Sequence, residues 1–337
     1  MSGKYYLKQA QDYYSLAPTI ILGSGASAAF DMSGMWDLAQ HLKAHVDVAG
    51  FHADEVAQWQ KFCGLLDDKV DLETALYRVT LSDELTKQVV FKTWELINPE
   101  DLDVFGRSIQ DRSYFPLGRL IQAMFKSALP HIDIITTNYD RLAEYACDQE
   151  GVYHYTGFSH GYRRQLIDRK LLSCKRTVNI WKVHGSLDWF KSTINETCAF
   201  GNLATMPESF IPQIVTPGTE KYRKTHLEPF RTVIGNADLA IQNANTYLCV
   251  GFGFNDQHIQ EKLIQKCVRD KTSLTVITYA LTDAAKTFLF DSGVENYLAI
   301  ECGEHNAQSI VYSSLAEEPI VVDGDFWSLS GYLNLIF

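Results

Sequence analysis

Runs of β-favouring apolar residues alternate along this chain with stretches of helical spacing. Strand-like runs open near Pro18 and recur at 131–136, 178–183, 246–251, 274–279 and 297–300, and helical patterns follow several of them at 139–149, 256–269 and 282–289. A parallel strand buried on both faces reads as a continuous apolar run, and reaching its neighbour takes a helical crossover. The alternation therefore predicts an α/β fold, a doubly wound parallel sheet with helices on both faces. Between 35 and 129 no strand stands out, and helical spacing dominates at 56–66, 72–79, 84–97 and 117–129. This predicts a helical insertion after the first strand.

A short amphipathic helix at 4–15 precedes the first strand. The tail offers edge strands at 310–312 and 320–322 and a closing helix at 326–335. With no internal repeat, low-complexity tract or Pro-rich linker, the expectation is one domain over 1–337, its sheet built from 15–34 and 130–337 around the insertion 35–129.

Three strand ends carry polar chemistry. Gly23-Ser24-Gly25-Ala26-Ser27 follows the first strand and fits a glycine turn that opens a helix, where backbone N–H groups bind a pyrophosphate. Such turns also use glycine for packing alone. The acidic residue that a dehydrogenase needs after its second strand is missing, because Asp47 sits in what reads as a helix end. Thr136-Thr137-Asn138-Tyr139-Asp140 ends the next strand; Asn138 or Asp140 suits a helix cap, but the polar run exceeds what one cap requires, so at least one should face a ligand.

The third end, Lys182-Val183-His184-Gly185-Ser186, offers an imidazole suited to general-base work near neutral pH, with Gly185 leaving space for a substrate beside it. A lone histidine is more often structural, and His258 is its one serious rival. Gly251-Phe252-Gly253 follows a fourth strand, with Asn255 or Asp256 placed to cap the next helix or to meet ribose hydroxyls.

Composition narrows the classes. At 337 residues, 46% hydrophobic and 21% charged, the chain is an ordinary globular protein. It has no apolar run long enough to span a membrane and no signal-peptide core, so a cytoplasmic location is expected. Seven scattered cysteines without a C-x-x-C pair predict free thiols and no metal. A net charge of −11 opposes direct nucleic-acid binding. One basic stretch, Arg163, Arg164, Arg169, Lys170, Lys175, Arg176 and Lys182, reads as a solvated loop or hairpin face rather than an anion or partner surface.

Taken in order, Gly23-Ser-Gly-Ala-Ser27, Thr137-Asn138-Tyr139-Asp140, His184-Gly185 and Gly251-Phe-Gly253 resemble the signature of the Sir2 (sirtuin) superfamily. The Thr-Thr-Asn-Tyr-Asp and Lys-x-His-Gly-Ser-x-Asp-Trp forms, with Asp71-Leu72-Glu73, are similar to bacterial Sir2-like proteins of antiphage defence. That resemblance covers roughly 18–280. It implies a Rossmann-like NAD-binding domain with Asn138 and His184 at the nicotinamide ribose. It also implies the 23–27 turn near the pyrophosphate, Thr137 and Asp140 in the cofactor site, and Gly251, Phe252 and Gly253 toward the adenosine.

The chain departs from the deacetylase branch, which the resemblance makes informative. Zinc-holding cysteine pairs are missing, Met35-Trp36-Asp37-Leu38 stands where that branch has Pro-Asp-Phe-Arg, and its later strand-end Asn is replaced around Tyr279. The expected function is an NAD+ glycohydrolase acting as a restrained defence effector. The alternatives are a non-catalytic NAD or ADP-ribose sensor and, third, a deacylase or ADP-ribosyltransferase. By resemblance, the expected partners are further copies of the chain and a separate HerA-type ring ATPase or short Argonaute.

Overall fold

The computed structural model describes residues 5–172, 176–216 and 226–337; Lys4, Cys174 and Lys175 lie outside them. Thirteen strands are found among the described residues: β1 Thr19–Leu22, β2 His131–Thr136, β3 His154–Tyr155, β4 Arg163–Gln165, β5 Thr177–Lys182, β6 Gly185–Ser192, β7 Thr197–Phe200, β8 Phe210–Ile214, β9 Thr246–Val250, β10 Ser273–Thr278, β11 Tyr297–Cys302, β12 Gln308–Ser313 and β13 Ile320–Asp323. Nine form one sheet in the order β13-β12-β11-β10-β9-β1-β2-β5-β3. From β11 to β3 every pairing is parallel, and β12 and β13 add an antiparallel edge. This is the expected mixed α/β, Rossmann-like fold.

Period-two burial explains the two-sided core. Along β1, Ile20 and Leu22 join a cluster containing Ile134, Ile180 and Trp94. Ile21 joins the opposite cluster, with Ile135, Trp181, Cys249 and Val276. Residues adjacent in a strand point to opposite faces, so each face needs its own helical cover.

Sheet register brings the motifs together. Leu22 pairs with both Thr136 and Val250, and Thr136 pairs with Lys182. Four carboxyl ends thus stop on one rung, and the residues that follow them share one edge. β1 is also where the strand order reverses, with β2 on one side and β9 on the other. A crevice at such a reversal is where open α/β sheets bind ligands.

The insertion is helical, with its own core around Leu42, Trp59, Phe62, Leu76 and Leu85. Its main departure from expectation is one helix over Asp83–Gln110, where the pattern suggested an end at 97. Pro99 lies inside it and removes one backbone donor. The flanking turns nevertheless hold, because Trp94, Ile97 and Val104 pack into the sheet's own core. The helix expected at 117–129 is the shorter Pro116–Met124.

Besides the two-residue edge strand β3, a second sheet and a helix escape the sequence pattern altogether. β4, β6, β7 and β8 form a separate antiparallel sheet in the order β4-β7-β6-β8, and a helix spans Phe230–Asn243. β5 stops at Lys182 and the chain reverses into β6 at Gly185, so the apolar run that looked like one strand followed by a pocket serves two sheets.

Candidate functional site

All four strand ends deliver residues to one cavity. It is lined by Gly23, Ser24 and Ser27 after β1, by Thr137, Asn138, Tyr139 and Asp140 after β2, by His184 after β5, and by Phe252, Gly253 and Asp256 after β9. Met32, Met35 and Glu73 contribute from the insertion side. Gly25, Ala26 and Gly251 instead line a neighbouring, more apolar cavity, which shares Ser27, Asn138 and Asp140 with the first. The twelve residues singled out in the sequence therefore split between two adjoining cavities.

On the β1–β2 side the polar groups are tied to one another. Asn138 donates its amide hydrogens to the Gly23 carbonyl at 2.8 Å and to Ser27 Oγ at 2.9 Å, and its backbone N–H goes to Thr136 Oγ1 at 3.0 Å. Ser27 Oγ donates to Asp140 Oδ2 at 2.6 Å, and Asp140 Oδ1 accepts from Leu142 N at 3.1 Å. Asp140 is thus the residue that bonds to the start of the following helix, which begins at Leu142 rather than near 139. Burial pushes the Asp140 carboxyl above its ordinary value, against the opposing pull of Lys182 and Ser27.

The β5–β9 side is arranged differently. His184 Nε2 meets Asp256 Oδ2 at 2.6 Å, while Asp256 Oδ1 accepts from Ile259 N at 3.0 Å and caps the helix Gln257–Ile264. One carboxylate therefore both opens a helix and orients the imidazole. His184 Nδ1 is buried and finds no hydrogen-bond partner among the described residues. With Nε2–H directed at a carboxylate, the tautomer that results leaves a lone pair on Nδ1. The rival His258 bonds Asp238 at 2.8 Å and does not line the cavity.

The glycines have a structural reason that the sequence left open. A Cβ on Gly23 or Gly25 would come within 2.4 or 2.8 Å of the Gly251 backbone. Gly251 itself has φ +56° and leaves its Cβ position 2.2 Å from Ala26 N. Two strand-end turns press backbone against backbone here, held by Gly23 N–H to the Val250 carbonyl at 3.1 Å and Gly25 N–H to the Gly251 carbonyl at 3.0 Å. Gly185, expected to leave space for a substrate, has φ +85° and faces Gln213 O at 1.9 Å from where a Cβ would stand. Its role is the reversal from β5 into β6 and the approach of β8.

Beneath the cavity lies a buried ionic cluster that sequence reasoning missed. Lys182, assigned to a solvated basic face, is fully buried. Its Nζ donates to the Asp140 carbonyl and, at 3.0 Å, to Glu144 Oε1. Arg164, from the same stretch, is also withdrawn from solvent and paired with Asp188. Burial raises Asp188, but the charges of Arg164, Lys182 and Arg141 outweigh it and hold that carboxyl below its usual value. Arg163 fits the solvated reading, since it is exposed and paired with Glu196 beside the antiparallel β4–β7 pairing.

Asp101, from the middle of the long helix, accepts from Arg141 N at 2.6 Å, Arg141 Nε at 2.9 Å and Tyr145 Oη at 2.5 Å. The same helix sends Trp94 Nε1 to the Leu187 carbonyl at 2.8 Å. Glu100 accepts from the backbone and hydroxyl of Ser33, in the loop that lines the cavity. One insertion helix therefore contacts the β1 loop, the β2 turn and the small sheet.

Residues 133–297 match the family model described as a SIR2-like domain. No curated protein matches the chain. Among solved structures, the chain is similar to one described as "Structural Basis for the Mechanism and Regulation of Sir2 Enzymes", with 14% identity, 85% of this chain and 90% of that one covered, and a TM-score of 0.45. It is similar to Sir2Tm bound to a propionylated peptide, with 13% identity, 88% and 92% coverage and a TM-score of 0.45. A Sir2 homologue in complex with ADP-ribose gives 13% identity, 84% and 88% coverage and a TM-score of 0.42.

Proposed function

We propose, from the premise that this chain belongs to the Sir2 superfamily and carries a SIR2-like domain at 133–297, that it is an NAD+ glycohydrolase cleaving the nicotinamide–ribose bond. The superfamily's chemistry is NAD-related. The step to hydrolysis rests on one observation: His184 and Asn138 line the same cavity, and the imidazole is oriented by Asp256 while its other nitrogen stays unpartnered.

Cleavage passes through an oxocarbenium-like ribose, so it requires a fixed sugar, little bulk water and a positioned nucleophile. As the C1′–N bond breaks, its electron pair goes to the ring and neutral nicotinamide leaves. Water adds at C1′, and His184 Nδ1 takes its proton, giving ADP-ribose. Both amide hydrogens of Asn138 are engaged with the β1 turn, so its contribution to substrate is through the amide oxygen and through holding Ser27 in place. The glycine turns approach the pyrophosphate as a joined pair rather than singly.

The motif forms at 136–140 and 182–189 support a place among defence effectors that deplete NAD. Unrestrained hydrolysis would kill the host, which argues for restraint released by a partner such as a HerA-type ATPase or a short Argonaute, and for assembly of several copies. No helix among the described residues is long and apolar enough to cross a membrane.

Mass-spectrometric analysis of NAD incubated with the concentrated protein, alone and with its genomic-neighbour protein, tests the proposal. ADP-ribose and nicotinamide are expected from the wild type, and none from His184→Ala or Asn138→Ala. Full activity in His184→Ala sinks the mechanism. Tight binding of NAD without product in either condition turns the reading to a sensor, and nicotinamide release that requires an acetylated peptide turns it to a deacylase.

A further inference from the structure

Past the last rung of the β2–β5 ladder, where Thr136 pairs with Lys182, the two strands part. Asn138 lies two residues beyond Thr136, and His184 lies two residues beyond Lys182. Few bonds join the departing chains: Val183 N–H to the Thr136 carbonyl at 3.1 Å, Leu187 N–H to the Tyr139 carbonyl at 3.0 Å, and a long contact from Ser186 Oγ to that same carbonyl at 3.4 Å. The Lys182 ammonium adds a bond of a different kind, reaching from the β5 end to the Asp140 carbonyl and on to Glu144.

A fully buried lysine is uncommon, and its charge is costly to remove from water. An apolar side chain of similar length would fill the space without that cost, so packing alone does not account for it. Glu144 offsets the charge only in part. Burial raises its carboxyl while Lys182 pulls the other way, and Glu144 Oε2 is left buried without a hydrogen-bond partner. What the lysine supplies that a methionine does not is a charge felt by Glu144, Asp140 and Asp188 and a donor to the backbone of the segment carrying Asn138.

We propose that Lys182 is a positioning residue: a strap from the β5 end to the Asp140 carbonyl that sets the spacing between Asn138 and His184. The role rests on the glycohydrolase reading of the cavity. Lys182 touches no substrate and acts through the two segments it joins.

Two variants separate the strap from the ion pair. Glu144→Gln keeps the lysine and its bond to Asp140, whereas Lys182→Met/Glu144→Gln removes the strap without stranding Glu144, while Asp140 and Asp188 also lose the charge of the lysine. The measurements are kcat and KM for nicotinamide release from NAD, and deuterium uptake by the 137–142 peptide. Glu144→Gln is expected to keep kcat within about threefold. The double variant is expected to lose about a hundredfold in kcat, the scale of a small misplacement, with KM changed less than about threefold and uptake at 137–142 increased. A double variant that folds and matches the wild type in kcat or in uptake overturns the strap, as does a Glu144→Gln protein as slow as the double variant.

Should the double variant fail to fold, Lys182→Arg, which keeps a cationic donor, is expected to stay within about tenfold of wild-type kcat. A folded Lys182→Arg protein a hundredfold slower overturns the proposal. If the wild type binds NAD and releases no nicotinamide, it is the glycohydrolase reading that fails, and exchange at 137–142 still decides the strap.

Discussion

The cavity and the ionic cluster beneath it are built from the same kinds of residue and treat them in opposite ways. In the cluster, Asp101 accepts from Arg141 and Tyr145, Lys182 joins Asp140 and Glu144, and Asp188 pairs with Arg164. Every charge there has an opposite charge beside it, even where a carboxylate oxygen is left over. In the cavity, Asp256 spends one oxygen on a helix cap and the other on His184, whose second nitrogen is buried without a partner among the described residues. A buried charge beside its opposite holds geometry, and an unpartnered imidazole lone pair keeps its capacity to accept a proton. The difference predicts that damage to the cluster shows first as lost stability and damage to the cavity as lost turnover.

The largest effect should come from Asp101→Ala. It takes the carboxylate from a buried guanidinium, which keeps only the neutral acceptors Asn98 and Asn202, and leaves the Arg141 backbone N–H without its acceptor, so the cost should be about 3–5 kcal/mol, read as a lower midpoint in urea unfolding. An unchanged midpoint would mean that the cluster is not what secures the long helix to the β2 turn. Gly251→Ala comes next. A Cβ there collides with the 25–26 backbone in a left-handed conformation, so a loss of roughly 2 kcal/mol or more is expected, with poor soluble yield as the visible sign. A Gly251→Ala protein as stable as the wild type would show that the two turns separate easily.

Asp256→Asn sharpens the comparison from the other side. Asparagine still caps the helix but no longer presents a carboxylate to the imidazole. Nicotinamide release should fall by about a hundredfold while the unfolding midpoint moves little. Equal losses in both measurements would erase the distinction between the two regions.

The smallest effect is in pH dependence. Asp188 has a folded-state carboxyl held below its unfolded value, so its contribution to stability is present above the ordinary aspartate range near 3.9 and is lost as pH falls through the lower folded value. Asp140 runs oppositely: its raised folded value favours the protonated form, and its contribution declines as pH rises from the unfolded value through the folded one. Urea midpoints measured from pH 3 to 6 should therefore fall less steeply on the acid side in Asp188→Asn, provided that variant folds. A slope identical to the wild type would remove Asp188 from the acid response.

Much of this was legible beforehand, for identifiable reasons. Strands β1, β2, β5, β9, β10 and β11 are buried along most of both faces, so their residues are largely apolar or β-branched, and such runs stand out in any chain. The polar ends that follow them were legible because turns and caps draw on few residue types. The small sheet was not. Its strands are short and irregular, and β6 begins within the motif that seemed to close β5. Lys182 and Arg164 misled because a charged side chain looks the same in sequence whether solvent or a buried carboxylate receives it. Asp256 was seen as a cap, but nothing local tells that its second oxygen reaches a histidine 72 residues away.

By itself, then, the sequence determined the parallel sheet, the helical insertion and the identity of the groups at each strand end, since periodicity and turn chemistry are local properties carried by neighbouring residues. Only the tertiary structure decided how those ends share one rung, which glycines serve packing, which cations are buried and which nitrogen of His184 finds a partner. Each of those depends on what a distant segment places alongside, and a pairing of that kind leaves no mark on the residues next to it in the chain.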